Sequence, residues 1–320
     1  MSNSLRVAVI GAGGAGGYFG ARWAEAGLDV TLLARGAHLE AINAKGLVLH
    51  SPLGDVSVDV PAVANASDIG EVDIVVIATK SWQLPSLANL VAPLLGPNTV
   101  VFGLQNGVEA ADVLSTFVPP ARVLGGTCRI ISFVEAPGVI RHVGIDPNLT
   151  IGERRGMGSG SIEPVATALG EARGLSVEVA DDIEVALWQK FLFFAPVSGL
   201  GSITQAPIGV FRSLPEPRSL LVRAVEEVFD LARAKGIGLA SESVEEALGF
   251  IDGLPADGTS SLQRDFRDGV RTELDALSGA VVRQAAEAGV SVPVHTFFHS
   301  ALLPLELKAR GSIEWPGGPK

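Results

Sequence analysis

Cysteine is nearly missing from this chain: Cys128 is the single one in 320 residues. One thiol makes neither an intrachain disulfide nor a cysteine-based zinc site, and a reducing, cytoplasmic setting fits. Runs of Lys or Arg are also lacking, and the formal net charge is −11. That balance disfavours nucleic acid and anionic membrane as partners, since both call for clustered cations. No uninterrupted apolar stretch reaches about 18 residues, so no membrane span is expected. The start, MSNSLRVAVIGAGGAGGYFG, has no basic leader and is broken by glycine, which argues against a signal peptide. Repeats and low-complexity segments are missing as well.

What the chain has is apolar mass and glycine: 47% of its residues are hydrophobic and 38 are Gly, enough for two domains with a sizeable core. The first half alternates short β-branched runs with helical stretches. Strands are expected at 6–11, 29–35, 72–80 and 98–107. GLVLH and DVSVDV read as a small hairpin, and further strands are expected at 122–133 and 138–144. Helices are expected after the first strand to about Ala26, through LPSLANLVAPLL, and through GVEAADVLSTFV. Apolar strands separated by helices imply a parallel sheet covered on both faces. After LSVEVADD (175–182) the strand signal fades. Helical patterns cover 183–200, 214–235, 241–252, 258–288 and 295–309. The longest places Leu262, Phe266, Val270, Leu274 and Leu277 at helical spacing. The fold class is therefore an α/β Rossmann domain over 1–180 followed by an all-α domain over 181–320, with a loose tail at GSIEWPGGPK.

A cofactor signal opens the first domain. VAVIGAGGAG holds Gly11-x-Gly13-x-x-Gly16 directly after a strand and at the start of a helix. The first glycine allows a tight turn, the second lets backbone approach a pyrophosphate, and the third lets helix and strand pack closely. The helix N-terminus offers free N–H groups and a positive dipole end to the phosphates. The second strand ends LLARGAHL, where Arg35 stands and no carboxylate does. An NAD site usually places Asp or Glu there, so NADP (NADPH) is the expected cofactor. Lys80 ends the third strand on the ligand side of such a sheet, in reach of the adenosine phosphate or ribose.

Chemistry-bearing residues follow. GLQNGVE puts Asn106, both donor and acceptor, at the end of the fourth strand. DDIEVALWQKFLFFAPVSGL buries one lysine, Lys190, in an apolar helix, which is costly unless something offsets it. Glu273 lies in RTELDAL on the long helix. Reduction of a ketone by a nicotinamide needs a proton donor at the oxygen, and desolvation brings a lysine toward that role. A carboxylate partner would keep it oriented. Spacing alone does not show that Lys190 and Glu273 meet; the plainer alternative is a snorkelling lysine and a solvated glutamate. Asp181–Asp182 are expected to cap the lysine helix. Cys128 is expected to be a small core residue. Trp188 and the phenylalanines after it are expected to pack. His295 and His299, one turn apart, read as solvated or capping rather than metal ligands.

VIGAGGAGGYFG, VIATKSWQ, GLQNGVE, LWQKF, SSLQRD to TELDALSGAV, and GVSVPV, in that order and spacing, resemble the ketopantoate reductases (2-dehydropantoate 2-reductases) over essentially the whole chain. The resemblance implies a Rossmann domain followed by an all-helical domain similar to that of 6-phosphogluconate dehydrogenase. It implies NADPH-dependent reduction of 2-dehydropantoate to D-pantoate, a step toward pantothenate. Gly11, Gly13 and Gly16 match the nucleotide loop, Arg35 the 2′-phosphate arginine, and Lys80 a cofactor-contacting lysine. Asn106 matches an asparagine touching nicotinamide and substrate, Lys190 the catalytic lysine, Ser261 a serine binding the substrate carboxylate, and Glu273 the glutamate that works with the lysine. Phe194, Ser198 and Ile208 stand where substrate-side asparagines are found in the family. They remove amides and add apolar surface, so a more apolar 2-oxo acid is a second substrate reading, and a non-enzymatic dinucleotide sensor a third. The partner is a small-molecule 2-oxo acid. Oligomeric state stays open, with a homodimer among the forms allowed.

Overall fold

The computed structural model describes residues 5–155 and 162–316. The end of the tail expected to be loose, 317–320, lies outside the described residues. The chain forms two compact units. One comprises the residues up to Gln105 with Ala110–Ala186, the other Asn106–Glu109 with the residues from Leu187 onward.

The first unit is built on a five-stranded sheet ordered β5-β2-β1-β6-β7, from β1 (Arg6–Ile10), β2 (Asp29–Leu33), β5 (Ala62–Val63), β6 (Val72–Ile77) and β7 (Leu95–Gly103). Every pairing in it is parallel. Val7 and Val9 of β1 join one buried cluster, while Ala8 and Ile10 join another. Both faces of the central strands are thus covered, which is why they read as continuous apolar runs. A second sheet, β4-β3-β10-β9, comes from β3 (Leu47–His50), β4 (Val56–Val58), β9 (Ser132–Ala136) and β10 (Val139–His142). The expected hairpin is its antiparallel β3–β4 pair. A third sheet, β12-β11-β8, comes from β8 (Gly125–Arg129), β11 (Asn148–Gly152) and β12 (Ser176–Val179). The single strand expected over 122–133 is therefore two strands in different sheets, and β11 had no expectation.

Helices of this unit are α1 (Gly14–Glu25), α2 (Gly36–Lys45), α3 (Ala88–Val91), α4 (Ala110–Leu114) and α5 (Ile162–Gly170). The helix expected through LPSLANLVAPLL is instead a 3₁₀ turn, Ser81–Ser86, followed by the single turn of α3. Pro85 and Pro93 lack the N–H that a continuous helix needs. The helix expected through GVEAADVLSTFV shortens to α4. Cys128 is buried, as expected.

The second unit is helical: α6 (Ile183–Thr204, which begins in the first unit), α7 (Ile208–Ser213), α8 (Pro215–Ala234), α9 (Ser243–Gly253), α10 (Ser261–Arg267), α11 (Ser278–Ala288) and α12 (Pro293–Ala309). Asp182 caps α6, its Oδ1 accepting from the N–H of Glu184 (3.0 Å) and Val185 (3.3 Å). By length and composition α6 could cross a membrane, but 56% of its most apolar 18-residue stretch is buried inside the protein. It reads as a core helix.

The long helix expected over 258–288 is broken. α10 stops at Arg267, Gly269 takes a left-handed φ of +66°, and a 3₁₀ turn at Leu274–Ala276 precedes α11. Glycine at that conformation is a common helix stop. Val270, expected on the apolar face, is 49% exposed, while Leu262, Leu274 and Leu277 are buried. His295 is also corrected: it is fully buried, not solvated.

Candidate functional site

The glycine loop of the first unit has the form a dinucleotide cradle requires. Gly11 has φ +100°, a conformation side chains resist, and its N–H donates to Leu33 O at 3.1 Å. Gly13 precedes α1, and a Cβ added to it would meet nothing within 4 Å among the described residues, so the loop's face is open there. At Gly16 an added Cβ would collide with the Gly11 carbonyl and approach Ala78 Cβ at 2.8 Å. The first turn of α1 holds no acidic residue, leaving its N–H groups and dipole for an anion. These observations fit a pyrophosphate. Arg35 is exposed two residues beyond β2 and stands at the N-cap position of α2. Lys80 is half-buried beyond β6, and its backbone N–H donates to Gln83 Oε1 at 3.1 Å. Gln105, for which the sequence raised no role, is buried, and its Nε2 donates to Ile77 O and Thr79 O at 2.9 Å each. It ties the end of β7 to β6.

In the second unit three of the expected residues come together. Lys190 Nζ donates to Asn106 Oδ1 at 3.2 Å, and Asn106 Nδ2 donates to Glu273 Oε2 at 3.2 Å. Glu273 is buried and Lys190 half-buried. Phe194, one turn along α6, places its ring centroid 5.6 Å from Lys190 Nζ, within cation–π range. Its neighbour Phe193 packs on Phe250, so these aromatics mix packing with contact to the lysine.

Ser261 opens α10 and is half-buried; no hydrogen bond joins it to Lys190, Asn106 or Glu273 among the described residues. The cap of α10 is the preceding Ser260, whose Oγ accepts from Gln263 N at 3.1 Å. Ser198 is fully buried, its hydroxyl without a hydrogen-bond partner among the described residues, and Ile208 is buried at the start of α7.

What holds Glu273 lies mostly outside the motifs. Fully buried Glu306 of α12 accepts from Thr272 N (2.9 Å) and Thr272 Oγ1 (2.6 Å), and from Arg310 Nε (2.6 Å). Thr272 Oγ1 in turn accepts from Leu274 N at 3.1 Å. Both neighbours of Glu273 are thereby pinned. Arg310 also reaches Asp275 Oδ2 at 2.6 Å, with His299 at 3.5 Å from the other oxygen. The hydrogen bond from His299, then that from Arg310, holds the Asp275 carboxyl well below the usual carboxylate range. On the Asn106 side, Glu109 accepts from Arg283 (2.8 Å) and Gln284 (3.1 Å) of α11. Nothing in the local sequence marks these partners, because they meet only through the fold.

Chemically, an ammonium held by an amide that also touches a buried carboxylate can deliver a proton to a carbonyl oxygen. Two family models match the chain: Ketopantoate reductase PanE/ApbA over residues 7–156, and its C-terminal counterpart over residues 182–306. The chain belongs to the ketopantoate reductase family. A 2-dehydropantoate 2-reductase of Halobacterium salinarum is 33% identical over 91% of this chain and 95% of its own. A crystal structure of a PanE/ApbA family ketopantoate reductase from Ralstonia eutropha is 31% identical, with TM-score 0.86 over 96% of this chain and all of that one. A D-mandelate dehydrogenase solved with NADH and anilino(oxo)acetate shares the fold at 23% identity, with TM-score 0.86 over 96% of this chain and 99% of that one. As a member of the ketopantoate reductase family, this chain is an oxidoreductase.

Proposed function

We propose that this protein reduces 2-dehydropantoate to D-pantoate with NADPH, the step that leads toward pantothenate. The observation that carries the reading is the hydrogen-bonded chain Lys190–Asn106–Glu273, in a protein whose relatives include named 2-dehydropantoate 2-reductases. NADPH, when bound, supplies the hydride to the carbonyl carbon. Gly11, Gly13, Gly16 and Lys80 bind the dinucleotide, and Arg35 recognises its 2′-phosphate. Ser261 takes the substrate carboxylate. Lys190 gives a proton to the carbonyl oxygen as it becomes a hydroxyl. Asn106 aims the ammonium, and Glu273 holds the Asn106 amide or a substrate hydroxyl.

A second reading keeps the chemistry and changes the substrate to a more apolar 2-oxo acid. The Phe194 ring beside Lys190 Nζ favours it. A ring offers no hydrogen bond to a substrate hydroxyl, and apolar pockets discriminate weakly between related substrates.

The test is NADPH oxidation by the purified protein with a panel of 2-oxo acids. The first reading expects 2-dehydropantoate to have by far the highest kcat/KM. A 2-oxo acid with an apolar or aromatic side chain in first place supports the second. Tight NADPH binding with no turnover on any 2-oxo acid would overturn both in favour of a sensor.

A further inference from the structure

His38 stands in the first turn of α2, three residues after Arg35, and the sequence raised no role for it. Both of its ring nitrogens are engaged by backbone. The N–H of Gly138, in the β9–β10 turn, donates to Nδ1 at 3.0 Å. Nδ1 is therefore unprotonated, and Nε2 carries the hydrogen. Nε2 lies 2.8 Å from the carbonyl oxygen of Ala12 and donates to it. The hydrogen bonds thus fix the ring orientation and tautomer, and neither nitrogen is left to bind a phosphate.

Ala12 lies between Gly11 and Gly13, in the middle of the cradle. Flanking glycines give its peptide little resistance to rotation. The loop needs an external support to keep one conformation. No peptide bond is cis among the described residues, so the Ala12 carbonyl and the Gly13 N–H point in opposite directions within one plane. Fixing the carbonyl toward His38 fixes that N–H the other way, on the loop whose Gly13 face is open.

The support itself is rigid. Gly138 packs on α2, where an added Cβ would lie 3.0 Å from Ala41 Cβ, and its carbonyl accepts from Val48 N at 2.9 Å. α1 is seated on the same sheet, where a Cβ at Gly17 would lie 2.7 Å from Ile140.

We infer that His38 is a positioning residue for dinucleotide binding: it fixes the Ala12–Gly13 peptide so that the Gly13 N–H is presented to the pyrophosphate. The inference rests on reading the glycine loop as the dinucleotide cradle, and it concerns the phosphates common to NADH and NADPH.

The experiment is the dissociation constant for NADPH and for NADH, read from nucleotide fluorescence, in wild type and in His38→Leu, His38→Asn and His38→Gln. Leu removes donor and acceptor, and Asn is too short to reach both partners. Each is expected to weaken both dinucleotides about tenfold, the size of one lost hydrogen bond. Gln places an amide donor and acceptor at nearly the imidazole spacing, and it is expected to restore binding to within about threefold of wild type. Turnover at saturating nucleotide should stay within about twofold, so the loss sits in KM for the cofactor. Should His38→Leu fail to fold, the Asn and Gln pair carries the comparison. Unchanged dissociation constants in the Leu or Asn variant would overturn the inference. A loss confined to NADPH would overturn it too, because it would place His38 at the 2′-phosphate. Wild-type protein that bound neither dinucleotide would overturn the cradle reading itself.

Discussion

Lys190 and Glu273 are joined through one side chain, the Asn106 amide, which accepts from the ammonium and donates to the carboxylate at 3.2 Å each. An amide does this in only one orientation, with Oδ1 toward the cation and Nδ2 toward the anion. Asn106→Ala removes both bonds and leaves each charge without this partner. We expect kcat to fall by about 10²-fold or more, approaching the 10²- to 10⁴-fold loss expected of Lys190→Ala as general acid. NADPH binding should persist in both variants. Steady-state kinetics with a fluorescence titration separates the effects. An Asn106→Ala enzyme with unchanged kcat would remove the amide from the mechanism.

Arg35 tests cofactor choice. It is exposed two residues beyond β2, where no carboxylate stands to bind a ribose hydroxyl. Arg35→Ala is expected to raise KM for NADPH by about tenfold or more and to leave KM for NADH nearly unchanged, since only the former carries a 2′-phosphate. Equal effects on both nucleotides would refute the role.

How legible was this protein in its sequence? The parallel sheet was, because strand segments buried on both faces read as apolar runs, as residues 7–10 of β1 and 74–77 of β6 do. The tight glycine turn was, because the spacing follows from steric demands at Gly11 and Gly16. Lys190 was suspect as a cation in an apolar helix, and the family resemblance, not periodicity, joined it to Asn106 and Glu273. The break between α10 and α11 was missed. Helical spacing from Leu262 to Leu277 outweighed Gly269, and the bonds from Thr272 to Glu306 that settle the matter span 34 residues. His38 was missed for the same reason: its partners, Ala12 and Gly138, are backbone groups far along the chain.

Glu306 is expected to matter for both stability and turnover. It is fully buried, and three donated hydrogen bonds converge on it from Thr272 and Arg310. Removing one partner of such a buried network costs about 3–5 kcal/mol, so Glu306→Ala should be strongly destabilised in chemical denaturation. Glu306→Gln keeps an acceptor for Thr272 and loses the ionic contact with Arg310. It should fold, with kcat reduced because the turn carrying Glu273 is less firmly held. A Gln variant that lost stability and kept full kcat would confine Glu306 to a structural part.

His295 sets an acid limit on stability. It is fully buried, its Nε2 donates to Ala224 O at 3.2 Å, and its Nδ1 has no partner among the described residues. Burial pushes its pKa from 6.5 down to about 4. Between those values the unfolded chain takes up a proton on this ring that the folded protein refuses. The unfolded state then binds more protons, so this group makes stability rise with pH across that window and fall on acidification. At about 1.4 kcal/mol per pH unit the full loss is roughly 3 kcal/mol. Glu227, which caps α12 by accepting from Val294 N (2.7 Å) and His295 N (2.9 Å), works in the opposite sense. Burial raises its pKa, so its contribution is present at acid pH and is lost as pH rises through the raised value. Comparing wild type with His295→Gln cancels the Glu227 part. The difference in unfolding free energy between the two should change steeply from pH 6.5 to 4 and be flat above pH 7; a flat difference throughout would mean that the ring takes up its proton as readily in the folded protein as in the unfolded chain.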